Sequence, residues 1–163
     1  MAEPIHELPR RSMVNLRVPP DSPAAHRIAD ALGAALPAPN TVASGAHTVL
    51  WLGPDEWLVV GDGAKDLIDR AVGPDFASVV DVSANRTTFV LSAPWARDLL
   101  AKGMAIDLHP REFRPGRCAQ TLLARAQVIL QQIDEIPTYH VLVRGSFAPY
   151  LAAWLADAAS EFG

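Results

Sequence analysis

Four segments of the chain show the same arrangement: a run of strand-forming residues, a residue that can cap a helix, and apolar residues at helical spacing. The strand-like runs are residues 14–18, 56–61, 86–92 and 139–145. The predicted capping residues are Ser22, which Pro23 follows, and then Asp62, Ser92 and Ser146. Capping side chains and an early proline are typical of helix N-termini, and the change of period separates strand from helix. The pattern therefore predicts four strand–helix units.

The remaining strand-like runs set the order of the elements. Residues 47–52 and 77–83 complete a first half that runs strand, helix, strand, strand, helix, strand, which is the ferredoxin-like order. The second half starts at Arg86, includes an apolar stretch from Cys118 to Ile133, and ends in a helix. We predict an α+β fold: a single domain of two ferredoxin-like (βαββαβ) units, the second lacking its last strand.

The domain boundaries follow from the same pattern. Residues 1–13 have no periodicity and contain two prolines, so they are interpreted as a flexible or docking arm. The domain is predicted to cover residues 14–163, with a first half at 14–83 and a second half at 84–160. Because the second half lacks its closing strand, we expect one open sheet edge, which needs a cover to avoid self-association.

One hairpin is apolar on both faces. The stretch LWLGPDEWLVV, residues 50–60, has turn residues between two apolar strands. A strand that is apolar on both faces needs cover on each, and we expect the other half of the chain to provide one of them. Trp51 and Trp57 flank the turn and are interpreted as core residues between the halves, with a partner-facing position as the alternative.

Composition excludes several classes of function. The net charge is −4 and the basic residues are scattered, which disfavours nucleic-acid binding. No apolar run approaches the roughly 18 residues of a membrane span, and the N-terminus lacks a signal-peptide pattern. Cys118 is the single cysteine, which favours the cytoplasm. Half of the residues are hydrophobic, which is a high share for a small chain and indicates a surface that binds a partner.

No catalytic, cofactor-binding or metal-binding set is predicted. Gly61 and Gly63 lack the third glycine of a dinucleotide-binding turn and are interpreted as a strand end and a helix cap. The five histidines show no metal-ligand spacing; His109 is expected to shape a turn, and His140 to lie in a strand. Cys118 is interpreted as a buried apolar residue rather than a nucleophile.

Asp81 is the one carboxylate at a suggestive place, the end of an apolar strand. One carboxylate without a second acid or base supports no mechanism. We therefore interpret Asp81 as structural, buried at a strand end, where it pairs with Arg86 or receives backbone N–H groups.

Among the aromatic residues, Trp95 is the candidate for an interface. It follows Pro94 and lies off the apolar stripe of the helix that begins there, so it is interpreted as a partner-facing anchor, with a half-exposed position as the alternative. Trp154 is placed in the core on a helix face with Phe147, Tyr150 and Leu151.

Several long motifs resemble the gamma subunit of bacterial heterotetrameric sarcosine oxidase. They are LWLGPDEWLVV (50–60), residues 79–126 from VVDVSANRTTFVLSAPW onwards, NLRV (15–18), LPAPNTVA (36–43) and VLVRGSFAPYLAAWL (141–155). That family is in turn similar to the folate-binding T-protein of glycine cleavage, whose core contains duplicated ferredoxin-like units.

The resemblance implies a four-subunit enzyme that oxidatively demethylates sarcosine to glycine, releases hydrogen peroxide and passes the one-carbon unit to tetrahydrofolate. It implies alpha (large), beta and delta partner subunits, with FAD, FMN, NAD, zinc and tetrahydrofolate on those subunits and no cofactor in this chain. Two hypotheses follow: a non-catalytic assembly subunit, or a free-standing, folate-binding module that transfers aminomethyl groups. The first is favoured by the apolar composition, the missing last strand and the missing catalytic set.

Overall fold

The computed structural model describes residues 3–162. Within these residues the chain forms two compact units. Unit 2 is Arg11–Ser83. Unit 1 combines the N-terminal segment up to Arg10 with the residues from Ala84 onwards. Each unit contains one five-stranded antiparallel sheet, so the predicted α+β class is confirmed.

Unit 2 contains five strands and two helices. In chain order these are β2 (Met13–Arg17), α1 (Pro23–Leu32), β3 (Val42–Ser44), β4 (Thr48–Gly53), β5 (Glu56–Val60), α2 (Ala64–Val72) and β6 (Ser78–Asp81). The order across its sheet is β3-β4-β5-β2-β6.

Unit 1 contains five strands, two helices and two short 3₁₀ turns. Its elements are β1 (Ile5–Glu7), β7 (Arg86–Ser92), α3 (Ala96–Ala101), β8 (Cys118–Leu123), β9 (Ala126–Gln132), β10 (Thr138–Arg144), a 3₁₀ turn (Gly145–Phe147), α4 (Ala148–Ala159) and a 3₁₀ turn (Ser160–Phe162). The order across its sheet is β1-β7-β10-β9-β8.

Strand β1 takes the place of the strand that the second half lacks. It pairs antiparallel with β7, with His6 opposite Val90. In unit 2 the last strand, β6, pairs antiparallel with the first strand, β2, in the equivalent position. Residues 1–13 were predicted to be a flexible or docking arm, and within the described residues Ile5–Glu7 dock on β7 as a strand. The open edge predicted for the second half, where its closing strand is missing, is therefore wrong. Three residues between two prolines carry too little local pattern to reveal a strand whose partner lies more than 80 positions away.

The two sheets have equivalent topology. From the closing strand, unit 2 reads β6-β2-β5-β4-β3 and unit 1 reads β1-β7-β10-β9-β8. In each, the four strands of the ferredoxin-like order are followed by one additional edge strand, β3 or β8. The sequence prediction missed β3 and treated the stretch from Cys118 to Ile133 as one strand, whereas it forms the β8–β9 hairpin.

The predicted helix caps have mixed outcomes. Ser22 caps α1, since its Oγ accepts a hydrogen bond from the N–H of Ala25 at 3.1 Å. Asp62 accepts instead from the Ser12 hydroxyl at 2.6 Å, and the residue that precedes α2 is Gly63. Ser92 hydrogen-bonds to Thr138, and Ser146 lies inside a 3₁₀ turn. Because Gly63 directly precedes α2, the interpretation of the Gly-Asp-Gly stretch as a helix start is confirmed.

The hairpin of β4 and β5 is buried on both faces. Trp57 lies opposite Trp51 and belongs to the apolar cluster on the helix-covered face of unit 2, where its Nε1 donates to the carbonyl of Pro37 at 3.1 Å. Trp57 is therefore a core residue of its own half, whereas the prediction placed it in a core between the halves. On the opposite face Leu50 and Leu58 are each 1% exposed. That the other half covers this face stays a prediction.

Candidate partner-binding surface

Trp95 lies directly before α3 and is half-buried. Its indole stacks on the ring of Phe162, with centroids 5.1 Å apart and ring planes 6° from parallel. The side chain also packs against the apolar cluster of unit 1. The chain itself therefore covers one face of the indole, which reduces the area that a partner could reach.

Lys102 fixes the C-terminal turn near the same place. Its Nζ lies 4.5 Å from the centre of the Phe162 ring and 2.8 Å from a carboxylate oxygen of Glu161. The same Nζ donates to the carbonyl of Ala158 at 2.8 Å. A cation above an aromatic face adds a modest attraction. Trp95, Lys102 and Phe162 thus join the start and end of α3 to the last turn of the chain.

An exposed aromatic pair at the start of α4 was not predicted. Phe147 and Tyr150 are 43% and 38% exposed, and their rings meet edge to face with centroids 6.5 Å apart. The hydroxyl of Tyr150 accepts from the N–H of Arg125, in the β8–β9 turn, at 3.3 Å. The sequence placed both aromatic residues in the core of the helix, but Leu151, Leu155 and Ala158 provide its buried face. These three residues are spaced by four and then three positions, which is the spacing of one helix face, and Tyr150 does not fit that spacing.

Strands β8 and β6 are edge strands with exposed apolar residues. Leu122 in β8 is 52% exposed and lies three residues before Arg125. Val80 in β6 is 49% exposed, and Phe76 in the preceding loop is 85% exposed. Edge strands with unpaired backbone groups and apolar side chains are places where another chain can pair or pack. Each unit therefore offers an edge suited to a partner.

Asp81 is exposed, which corrects the prediction of a buried strand end. It is the last residue of β6, which is an edge strand, so its side chain is open to solvent. Its Oδ1 accepts from the backbone N–H of Ser83 at 2.9 Å, so the predicted acceptance of a backbone N–H is confirmed. Hydrogen bonding from Ser83, through its side chain and then its backbone, holds the pKa of Asp81 below its ordinary value.

Replacement of Asp81 by Asn is expected to lower stability only slightly at pH 7, where the charge is lost but the amide oxygen can still accept from Ser83, and by less at pH 3. A lowered pKa means that Asp81 stabilises the folded state above its ordinary pKa of 3.8, and that this contribution disappears as the pH falls through its folded value. Chemical unfolding at pH 7 and at pH 3 measures this, with exposed Asp66 changed to Asn as the control. A large loss at pH 7 that is specific to Asp81→Asn contradicts the assignment.

The other chemistry-bearing residues have structural positions. Cys118 is buried, as predicted. His109 shapes its turn, since its Nδ1 accepts from the N–H of Arg111 at 3.2 Å, and His140 lies in β10. Across residues 3–162 no group of three or more His, Cys, Asp or Glu side chains could hold a metal ion. None of the helices in the described part is both long and apolar enough to cross a membrane.

Tyr139 is a buried titratable residue that the sequence did not single out. Its side chain lies in the core of unit 1, 6.4 Å from the ring of Phe113. Burial raises the pKa of its hydroxyl, and the charge of Arg97 opposes that shift. The phenol is therefore neutral at physiological pH, and it contributes mainly to packing.

The fold and these surfaces define the class as an α+β protein of two equivalent ferredoxin-like units with exposed apolar edges. The model of the sarcosine oxidase, gamma subunit family matches residues 19–161. The chain belongs to this family.

Individual relatives agree with the family match. The chain is 37% identical to sarcosine oxidase subunit gamma of Corynebacterium sp. (strain U-96) over 164 residues, which covers 97% of this chain and 80% of the relative. The same protein from Arthrobacter sp. is also 37% identical with the same coverage.

Solved structures give the same result. A chain of the heterotetrameric sarcosine oxidase from Corynebacterium sp. U-96, in complex with pyrrole 2-carboxylate, matches with a TM-score of 0.92 and 37% identity, over 97% of this chain and 84% of that one. The glycine cleavage system aminomethyltransferase T from Bartonella henselae matches with a TM-score of 0.70 at 11% identity, over 93% of this chain and 44% of that one. This second likeness shows the fold alone.

Proposed function

We propose that the chain is a non-catalytic assembly subunit of a heterotetrameric sarcosine oxidase. The observation that carries the proposal is the similarity of nearly the whole chain, in sequence and in fold, to a chain of such a heterotetramer. Its role in this proposal is to pack against the large alpha subunit and to stabilise the complex with the beta and delta subunits.

The reaction belongs to the complex. The complex oxidises the methyl group of sarcosine, produces glycine and hydrogen peroxide, and passes the one-carbon unit to tetrahydrofolate. FAD, FMN, NAD, zinc and the folate site belong to the other subunits. The complex acts in the cytoplasm, in line with the prediction from the sequence.

The arrangement of titratable groups supports a non-catalytic role. General acid–base catalysis needs a positioned pair of groups within reach of a substrate. Asp81 is exposed at the end of an edge strand, and Tyr139 is buried in an apolar cluster. Gly61 and Gly63 serve the start of α2. The exposed apolar residues at the edges supply what a docking subunit needs.

Replacement of Trp95 by Ala is expected to weaken association with the large subunit by about 1–2 kcal/mol, near the lower limit for an interface anchor, because Phe162 already covers one ring face. The matched control is Phe162→Ala, which removes the same stack and leaves Trp95 in place. Both variants should lose similar thermal stability, but Trp95→Ala alone should weaken association. Equal association constants for the two variants would show that Trp95 does not contribute to the interface.

Co-expression of the tagged chain with the other subunits tests the proposed function. We expect the four polypeptides to purify together in equal amounts, with flavin absorbance in the complex. A chain that purifies alone, while the other subunits form an equally stable complex without it, contradicts the proposal.

A further inference from the structure

A row of four side chains, three of them polar, crosses four strands of unit 1, on the sheet face opposite its helices. Arg86 of β7 lies directly opposite Arg144 of β10. The register of β10 and β9 places Arg144 beside Gln127, since Val143 pairs with Val128. Gln127 in turn lies opposite Leu122 of β8. Side chains opposite one another in an antiparallel pair have Cβ atoms about 4.5–5.5 Å apart, so the row is continuous.

This row forms the floor of a cavity of about 320 Å³. Gln120 and Ile129, which are opposite each other in β8 and β9, also line it. The lining residues are thus two arginines, two glutamines, one threonine and three aliphatic residues. A volume near 300 Å³ is at the small end of ligand pockets, so it suits a short acid and not a flavin or a dinucleotide.

The two arginines give the cavity its chemical character. Like charges directly opposite each other destabilise a sheet, and this chain has a net charge of −4, so general basicity does not account for the pair. Arg144 is exposed and does not take part in the ion pairs found among residues 3–162. Arg86 makes other contacts as well. An anion in the cavity would be attracted by both guanidinium groups.

The lining suits a carboxylate. A planar guanidinium group binds a carboxylate through two parallel N–H···O bonds, and the strand register brings two such groups to the same cavity. Phosphate sites in proteins typically add free backbone N–H groups of a helix N-terminus or a loop, and the floor of this cavity is formed by paired strands. We propose that the Arg86–Arg144 cavity is a carboxylate-binding site. The carboxylate comes either from a small free dicarboxylic acid or from an acidic side chain of a partner subunit.

The first arm of the test uses the full-length chain and glutarate as the probe, followed by changes in NMR chemical shifts. We expect saturable binding that Arg144→Gln weakens at least tenfold. Arg144→Lys should have an intermediate affinity, because lysine keeps the positive charge but lacks the paired N–H donors of a guanidinium group. Exposed Arg114→Gln, which removes an equal charge in the loop before β8, should change the affinity less than twofold. Inorganic phosphate that binds as tightly as glutarate would overturn the assignment to carboxylates.

The second arm uses the assembled complex, and it alone rests on the proposed function. If glutarate does not bind the chain but Arg144→Gln weakens its association with the complex at least tenfold, while Arg114→Gln does not, the carboxylate belongs to a partner. If Arg144→Gln changes neither property, the proposal is wrong. If the wild-type chain joins no complex, the proposed function is refuted instead. The glutarate titration alone then tests whether the cavity binds a carboxylate.

Discussion

Removal of residues 1–8 is expected to lower the free energy of unfolding by about 4 kcal/mol, because β1 closes the sheet of unit 1. The N–H of Leu8 donates to the carbonyl of Thr88, and the N–H of Ser92 donates to the carbonyl of Pro4, each at 2.8 Å. The alternation of an antiparallel ladder then makes His6 and Val90 a doubly hydrogen-bonded pair. Four such bonds at about 1 kcal/mol each give the estimate. Urea unfolding of the full and shortened chains measures it.

A matched pair of proline variants separates the strand pairing from other effects of truncation. The N–H of His6 points at β7, whereas the same alternation points the N–H of Glu7 away from it. Proline is tolerated at an edge strand where the N–H faces outward. His6→Pro should therefore destabilise the chain and increase its self-association, since it exposes the edge of β7. Similar behaviour of His6→Pro and Glu7→Pro would contradict the role of β1.

Replacement of Trp57 by Ala is expected to destabilise unit 2 by about 3–5 kcal/mol, the usual cost of removing a buried indole from a core. Trp57 is 3% exposed, packs with the residues beneath α1 and α2, and donates to the carbonyl of Pro37. The loss of stability has two causes: a cavity is left in the core, and the carbonyl of Pro37 loses its hydrogen-bond donor. Thermal and urea unfolding followed by far-UV circular dichroism measure it.

Trp57→Phe is the control for that prediction. It keeps most of the aromatic volume and removes the indole N–H, so it should cost about 1–2 kcal/mol for the lost hydrogen bond and the smaller ring. Trp51, its neighbour across the hairpin, is only partly buried, and Trp51→Ala should cost less than Trp57→Ala. A smaller loss for Trp57→Ala than for Trp51→Ala would contradict the placement of these two residues.

The elements that repeat in the sequence were predictable because each carries its own local pattern. The strand over residues 86–92 was predicted with the bounds that β7 has, and α1 begins after its Ser22 cap. The ferredoxin-like order of the first half follows from these patterns. Where periodicity, propensity and capping agree, local sequence is sufficient to specify an element.

The missed elements depend on information that is not local. Strand β1 has three residues, and its pairing with β7 spans most of the chain. The β8–β9 hairpin turns at Ala124 with a φ of 52°, although residues of this type rarely adopt that conformation. No Gly, Asn or Pro marks this turn, so the apolar stretch from Cys118 to Ile133 was interpreted as one strand.

The candidate surface was partly visible in the sequence. Trp95 was singled out because it lies off an apolar helical stripe, and the structure adds Phe162, 67 residues later in the chain, as its stacking partner. Phe147 and Tyr150 were assigned to the core because aromatic residues usually belong there. The Arg86–Arg144 pair could not be found from spacing, since only the strand register brings the two residues together.

The most direct test of the assembly role is the peroxide released from sarcosine, with the flavin absorbance, for the chain alone and for the assembled complex. We expect the chain alone to show neither, and the complex to show both and to lose thermal stability when the chain is omitted. Bound flavin in stoichiometric amount or sarcosine-dependent peroxide from the chain alone would contradict the account.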